Sequence, residues 1–285
     1  VVDAPFSREA TLCVSHDESK LYLLYLDSAV ALRFVILDST TLALISEVVL
    51  YSPVDFEAPI RMMQDKDSNL WWLGNSHKMH RMNDVGGDIY TVDLNSTEIS
   101  IPYQTFCLDE RNKAAYVMPL STDGSYGLGI KRITYDSGFN VSTYYTKENL
   151  NHLPLDSFFQ DGAIYTLVED RTDRNTKLVK VPIVFFNDKT KWVVKDIGTE
   201  YGIDEFVQIF STKGNKYGYF FQDDFTKGTW RFDKSDLSCM LLVSNDGNLE
   251  WNMTGTRLQR TPRSGDYNCD PGWLYRVFNK EIQSS

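Results

Sequence analysis

The sequence predicts an all-β chain assembled from one four-stranded unit used repeatedly. Two observations carry this: short apolar runs rich in Val, Ile, Tyr, Phe and Trp, and two series of polar turns that recur in phase. A third supports it: no window holds a 3.6-residue apolar period over three turns, so no major helix is expected. The template begins at Thr11. A first strand, Thr11–Ser15, meets a polar turn at His16–Lys20, and a second strand, Leu21–Tyr25, runs into a polar loop at Asp27-Ser28. A third strand, Leu32–Leu37, turns at Asp38–Thr41 into a fourth, Leu42–Val48.

With the strands of each unit labelled A to D, the A–B turn recurs at Ser15–Lys20, Gln64–Asn69, Leu108–Lys113, Phe159–Gly162 and Ser211–Lys216. The C–D turn recurs at Asp38–Thr41, Asp93–Thr97, Asp136–Asn140, Asn187–Thr190 and Asp233–Asp236. Asp, Asn, Ser and Gly suit these positions because they tolerate tight backbone geometry and cap their own turns. The A strands Thr105–Leu108 and Val207–Phe210 are short and apolar, as expected of strands buried on both faces.

A four-stranded unit repeated every 40–50 residues or so resembles a blade of the β-propeller superfamily, over about residues 8–243. The resemblance implies blades at about 8–48, 60–101, 105–146, 157–196 and 207–243. In the tail, Asn248–Met253, Thr256–Thr261 and Gly272–Phe278 read as three further strands, with Val1–Phe6 supplying a fourth. That gives six blades, the last shared by the N- and C-terminal strands, which would remove an open edge. The alternative is five blades with an ordered tail. The whole chain, 1–285, reads as a single domain, with no linker-like stretch.

Composition narrows the partners. Hydrophobic content of 42% supports a core, and 13% aromatics suits wide sheets packed on one another. A formal charge of −10 argues against nucleic acid and for a neutral or cationic partner. No run of about 18 apolar residues is present to span a membrane as a helix. The start at Val1 rather than Met reads as a processed end. Sequons at Asn95, Asn140 and Asn252, two of them in expected C–D turns, point to a secreted glycoprotein. Of four cysteines, Cys13 and Cys107 lie mid-strand and read as buried thiols. Cys239 and Cys269 flank the expected closure, and a disulfide between them is the preferred pairing.

In a propeller the B–C and D–A connections surround the channel mouth, where ligands usually sit. Candidate ligand-binding residues there are Asp27, Asn75, Asp170 and Asp223, with further acids at Glu169, Asp224, Glu200 and Asp204. Such a ring of oxygens suits calcium, a basic ligand or ordinary solvated carboxylates. The second unit carries an unusual B–C stretch, Asn75–Gly87, read as a long mobile loop with His77 and His80 beside Lys78, Met79, Arg81 and Met82. It suits a partner contact better than chemistry, and no third metal ligand is evident. No nucleophile elbow, HExxH or phosphate loop occurs, so no catalytic residue is assigned. The turns Ser121–Ser125 and Ser244–Trp251 faintly resemble sialidase Asp-boxes, with the Gly replaced by Ser or Asn. The sequence thus points to a secreted, non-enzymatic propeller binding a protein or small ligand on its loop face. The alternative is a calcium-dependent propeller hydrolase of lactonase or esterase type, using oxygens among Asp27, Asn75, Asp170 and Asp223.

Overall fold

A computed structural model of the chain describes residues 2–3, 10–27, 29–51, 58–74, 78–87, 89–94, 103–119, 130–135, 140–144, 152–170, 173, 175–186, 188–201, 208–211, 216–221, 229–243, 257–259, 275–278 and 281–284. The N-terminal strand is β1 (Val2–Asp3). The first sheet is β2 (Ala10–Val14), β3 (Lys20–Leu26), β4 (Leu32–Asp38) and β5 (Leu44–Tyr51). The second is β6 (Pro59–Gln64), β7 (Leu70–Gly74), β8 (Lys78–Met82) and β9 (Tyr90–Asp93). The third is β10 (Tyr103–Asp109), β11 (Ala114–Pro119), β12 (Ile130–Thr134) and β13 (Asn140–Tyr144). The fourth is β14 (His152–Gln160), β15 (Ala163–Asp170), β16 (Thr176–Pro182) and β17 (Val193–Asp196), followed by the one-turn helix α1 (Ile197–Tyr201). The fifth is β18 (Gln208–Ser211), β19 (Tyr217–Phe221), β20 (Thr229–Asp233) and β21 (Cys239–Val243). Each is an antiparallel meander in chain order, as the repeat predicts.

A further sheet joins the chain ends. Its strands are β22 (Arg257–Gln259), β23 (Tyr275–Phe278) and β24 (Glu281–Ser284), in the order β1-β24-β23-β22. Val2 pairs with Ile282 and Asp3 with Glu281. The expected sharing of one sheet by both ends is therefore present. The strand at 281–284 is not legible in the sequence, because Glu-Ile-Gln-Ser carries one apolar residue. The strand expected at Asn248–Met253 lies outside the described residues.

The A–B turns fall where the repeat places them. Ser15 N–H donates to the Lys20 carbonyl at 2.9 Å and Asp65 N–H to that of Asn69 at 2.8 Å. Asp161 and Gly162 make a two-residue turn with φ of 52° and 72°, the left-handed pair that matches hairpin twist. The second sheet corrects two expectations. Lys78–Met82 is a strand rather than a mobile loop, paired with β7 and β9. Its C–D turn is Asn83–Gly87, closed by Asn83 N–H to the Gly87 carbonyl at 2.9 Å, so Asp93 lies in β9 and not in that turn. The Asn95 sequon therefore follows strand D.

By backbone contacts the chain forms two compact units: Val1–Tyr103 with Gly255–Ser264 and Pro271–Ser285, and Gln104–Thr254 with Gly265–Asp270. In the first unit, Tyr22, Leu24 and Phe34 of the first sheet pack with Met62, Trp72 and Met82 of the second. Leu12, Val14, Leu23 and Val35 fill a further cluster of that first sheet. Strands β3 and β7 are thus buried on both faces, which is why they read as unbroken apolar runs. In the second unit, Tyr116 and Ile130 pack with Phe159, Val179 and Phe186, while Phe158, Tyr165 and Leu178 pack with Phe220 and Phe232. Each such large side chain contributes roughly 1.5–3 kcal/mol on burial.

Asp156 ties three consecutive sheets of the second unit together. It sits at the register shift of β14, is 5% exposed, and accepts from Ile209 N–H of β18 at 3.0 Å and from Thr105 Oγ1 of β10 at 3.3 Å. Its own chain contributes Ser157 N–H at 2.8 Å, and Ser157 Oγ lies 3.1 Å from Thr105 Oγ1. A buried carboxylate persists only with such a set of donors.

Candidate functional site

The third residue of the second strand is aromatic in each of the first four sheets: Tyr22, Trp72, Tyr116 and Tyr165. In the first and fourth sheets the tyrosine hydroxyl meets the C–D turn of the following sheet. Tyr22 Oη lies 3.5 Å from Asp84 Oδ2 and accepts from Gln64 Nε2 at 3.4 Å, while Lys20 Nζ pairs with the same Asp84 carboxylate at 3.1 Å. Tyr165 Oη donates to the Lys234 carbonyl at 3.4 Å. Lys180 Nζ donates to the same carbonyl at 2.7 Å, and Lys234 Nζ returns to Gln160 Oε1 and Asp161 Oδ2 at 3.0 and 2.7 Å.

Tyr116 breaks this pattern. Its side chain is fully buried and its Oη makes no hydrogen bond. The reason is the longer C–D connection of the fourth sheet. Pro182 closes β16 in an extended conformation (φ −65°, ψ 127°), and two 3-10 turns, Ile183–Phe185 and Lys189–Lys191, follow. Ile183 N–H donates to the Gly162 carbonyl at 2.9 Å, Asp188 N–H to that of Phe185 at 2.9 Å, and Trp192 Nε1 to that of Phe185 at 3.4 Å. These bonds fix the path of the segment. The tyrosine ring is fixed between Phe159, stacked at 5.9 Å, and Phe186, tilted at 5.7 Å.

The result is a cavity of about 440 Å³ with Tyr116 and Arg132 on one side and Ile183–Phe186 on the other. Arg132 stands opposite Tyr116 in the β11–β12 register, and its guanidinium favours the phenolate without meeting hydrogen-bond geometry at Oη. Burial, and after it the field of Asp109, hold the Tyr116 hydroxyl protonated well beyond its usual range. Asn112 and Asp188 complete the lining. Asn112 is set by its own turn, with backbone N–H and Nδ2 donating to Asp109 at 3.1 and 2.7 Å. Asp188 accepts from Thr190 Oγ1 at 2.6 Å, first, and from Thr190 N–H, which keep its carboxyl below the ordinary range. Val184 and Phe185 beside the cavity are 83% and 46% exposed. These two side chains form an apolar rim on the C–D connection.

The residues singled out from sequence lie elsewhere. Asp27 is buried in its B–C turn, accepting from Ala29 and Ala31 N–H at 2.9 Å and from Arg33 Nε at 2.5 Å; Arg33 also reaches Glu47. Arg33, and then the turn amides, lower its pKa. Asp170 pairs with Lys177 of the adjoining strand. Both carboxylates are engaged within their own hairpins. His80 is a core residue rather than a loop ligand, 2% exposed, stacked 3.8 Å over Trp72, with Nδ1 3.0 Å from Thr91 Oγ1. Asn75, His77, Asp223, Asn95 and Asn252 lie outside the described residues, and Asn140 opens β13. Cys13 and Cys107 are buried free thiols, as expected. Cys239 is also a free thiol, so the bridge expected to Cys269 is not formed; Cys269 lies outside the described residues. Burial pushes the Cys239 thiol up to about 12. Among the described residues, no three His, Cys, Asp or Glu side chains cluster as a metal site, and no helix is long and apolar enough to cross a membrane. The Tyr116 cavity is not anticipated by sequence, although Pro182 within an apolar run signals the break that forms it.

No protein-family model and no curated protein sequence matches the chain. Solved structures do. A catalytically inactive virginiamycin B lyase from Staphylococcus aureus, crystallised with quinupristin, superposes with a TM-score of 0.60 at 13% identity, covering 99% of this chain and 86% of that one. The WD40 domain of Neurospora crassa Pan2 gives 0.54 at 11% identity over 96% and 77%. A chain of the mitotic checkpoint complex gives 0.59 at 11% identity over 96% and 72%. With the repeated four-stranded meanders, these likenesses define the class: the protein has a β-propeller fold. At such identities they speak to the fold alone.

Proposed function

We propose that the protein is a non-enzymatic propeller that binds a partner protein through the Tyr116 cavity and the apolar rim beside it. The observation that carries this reading is a cavity bordered by two exposed apolar side chains, Val184 and Phe185. A small molecule in the cavity would cover only the faces of Val184 and Phe185 that line it. A polypeptide would fill the cavity and also cover their outer faces, as anchor residues do at interfaces. The charge of −10 suits a partner with a cationic surface around that anchor. The sequons at Asn95, Asn140 and Asn252 support action outside the cell. The loop-side acids Asp27 and Asp170 are engaged with Arg33 and Lys177, so nothing in their geometry favours the calcium-dependent hydrolase.

The test is selection of a random peptide library on the intact protein, with the double variant Val184→Glu, Phe185→Glu as counter-target. Both positions are exposed, so the variant folds. Selected peptides are expected to bind the native protein at least tenfold more tightly than the variant. Peptides indifferent to the two substitutions, or no enrichment at all, would refute the reading.

A further inference from the structure

We infer that the outer edge of strand β5 takes up an extended peptide of a partner as a fifth strand, and that the added strand carries an apolar residue followed, two positions on, by a lysine or arginine. This surface belongs to the first unit and does not involve the Tyr116 cavity. β5 ends its sheet and, among the described strands, pairs with β4 alone, so one row of its backbone N–H and C=O groups faces away from the sheet. It is eight residues long, against four or five in the last strands of the next four sheets. Edge strands are commonly blunted by shortness, lysine or proline. β5 has neither lysine nor proline, and its Leu44, Ile45 and Val49 are exposed. Register shifts toward its two ends leave Ser46–Val49 as the regular stretch, opposite Arg33–Ile36, which sets the length of edge an added strand can match. Charge decides what that strand must carry. Arg33 lies between two carboxylates, 2.5 Å from Asp27 and 2.6 Å from Glu47. From the B–C turn outward the signs run negative, positive, negative, and they end at the exposed Glu47. A cation across from Glu47 continues the alternation, since opposite charges on neighbouring strands attract. Val49 lies two residues on from Glu47 and shares its face. An antiparallel strand therefore sets an apolar residue against Val49 and then, two positions later, its cation against Glu47. A second copy of β5 has no lysine or arginine to offer, and two chains of charge −10 repel.

The probes are the peptide acetyl-Thr-Val-Thr-Lys-Val-Thr-amide and its analogue with glutamate in place of lysine. Each is titrated into the intact, isotope-labelled protein while the Ser46–Val49 amide resonances are followed by NMR. We expect the lysine peptide to move these amides and to bind about threefold more tightly than the glutamate peptide at low salt, a preference that fades as salt is raised. In Glu47→Lys, a change at an exposed position, the preference is expected to reverse. Methylating the backbone nitrogens of alternate peptide residues blocks one of its two hydrogen-bonding edges. Of the two possible phases, one is expected to abolish binding and the other to leave it. Equal binding of the two peptides, a lysine preference that survives in Glu47→Lys, or equal effects of the two methylation phases would each overturn the inference. So would amides that stay still at millimolar peptide. Amide shifts that follow protein concentration without peptide would give the edge to a second copy, and overturn it too. None of these outcomes bears on the peptide selection at Val184 and Phe185, which tests the other surface.

Discussion

A buried tyrosine hydroxyl that reaches an acceptor and one that does not should respond oppositely to the same substitution. Tyr165→Phe removes the bond to the Lys234 carbonyl and is expected to cost about 0.5–1.5 kcal/mol. Tyr116→Phe removes an unsatisfied polar atom and is expected to raise stability by about 1 kcal/mol. Urea unfolding of the two variants measures both; shifts of the same sign would mean that Tyr116 has an internal partner after all. The recurrence of these tyrosines is legible in the repeat, but the fate of each hydroxyl is not. It depends on the length of a turn in the next sheet, some 70 residues away for Tyr116 and Asp188. His80 shows the converse. Its neighbours Lys78 and Arg81 make the segment look like a solvated loop, yet Met79, His80 and Met82 are buried against the sheet core. Short amphipathic strands with two charged residues in five carry too little pattern to be told from loops.

Elements were read more securely than residues where turn chemistry and apolar runs agreed. The A–B hairpins did so in the first four sheets. The C–D turn of the second sheet did not, because Asp93-Leu-Asn-Ser resembles a turn as well as Asn83-Asp-Val-Gly-Gly does. Only the strand between them, Tyr90–Asp93, decides the matter. Within β19, Gly218 marks a close approach rather than a turn. A Cβ built there would lie 2.1 Å from Phe232 Cζ, the residue opposite it in the β19–β20 register. Gly218→Ala must therefore displace a ring that is central to the fifth sheet's packing, and is expected to cost about 1–3 kcal/mol. A loss below about 0.5 kcal/mol in denaturant titration would show that the Phe232 ring has room to swing aside.

At the scale of the whole molecule, turn carboxylates contribute to the acid side of the stability profile. Asp38, Asp188 and Asp236 are held below the ordinary aspartate range by hydrogen bonds from turn amides and hydroxyls, and Asp233, bonded first by Ser235, is drawn down to about 2. A folded-state pKa below the unfolded value contributes stability that is present above about pH 4 and lost as pH falls toward 2. The charge of −10 acts in the other direction, since partial protonation relieves self-repulsion. The urea midpoint is therefore expected to stay level or rise slightly from pH 7 to about 5, then fall below pH 4. A midpoint still climbing at pH 2.5 would mean that repulsion outweighs the turns. The three-sheet junction at Asp156 has a further consequence. Because one carboxylate serves a hydroxyl on β10 and an amide on β18, parting either outer sheet from the fourth takes a donor away from a buried charge. Strands β10, β14 and β18 thereby share one buried charge, and a lesion that removes either donor weakens the anchorage of the fourth sheet as well.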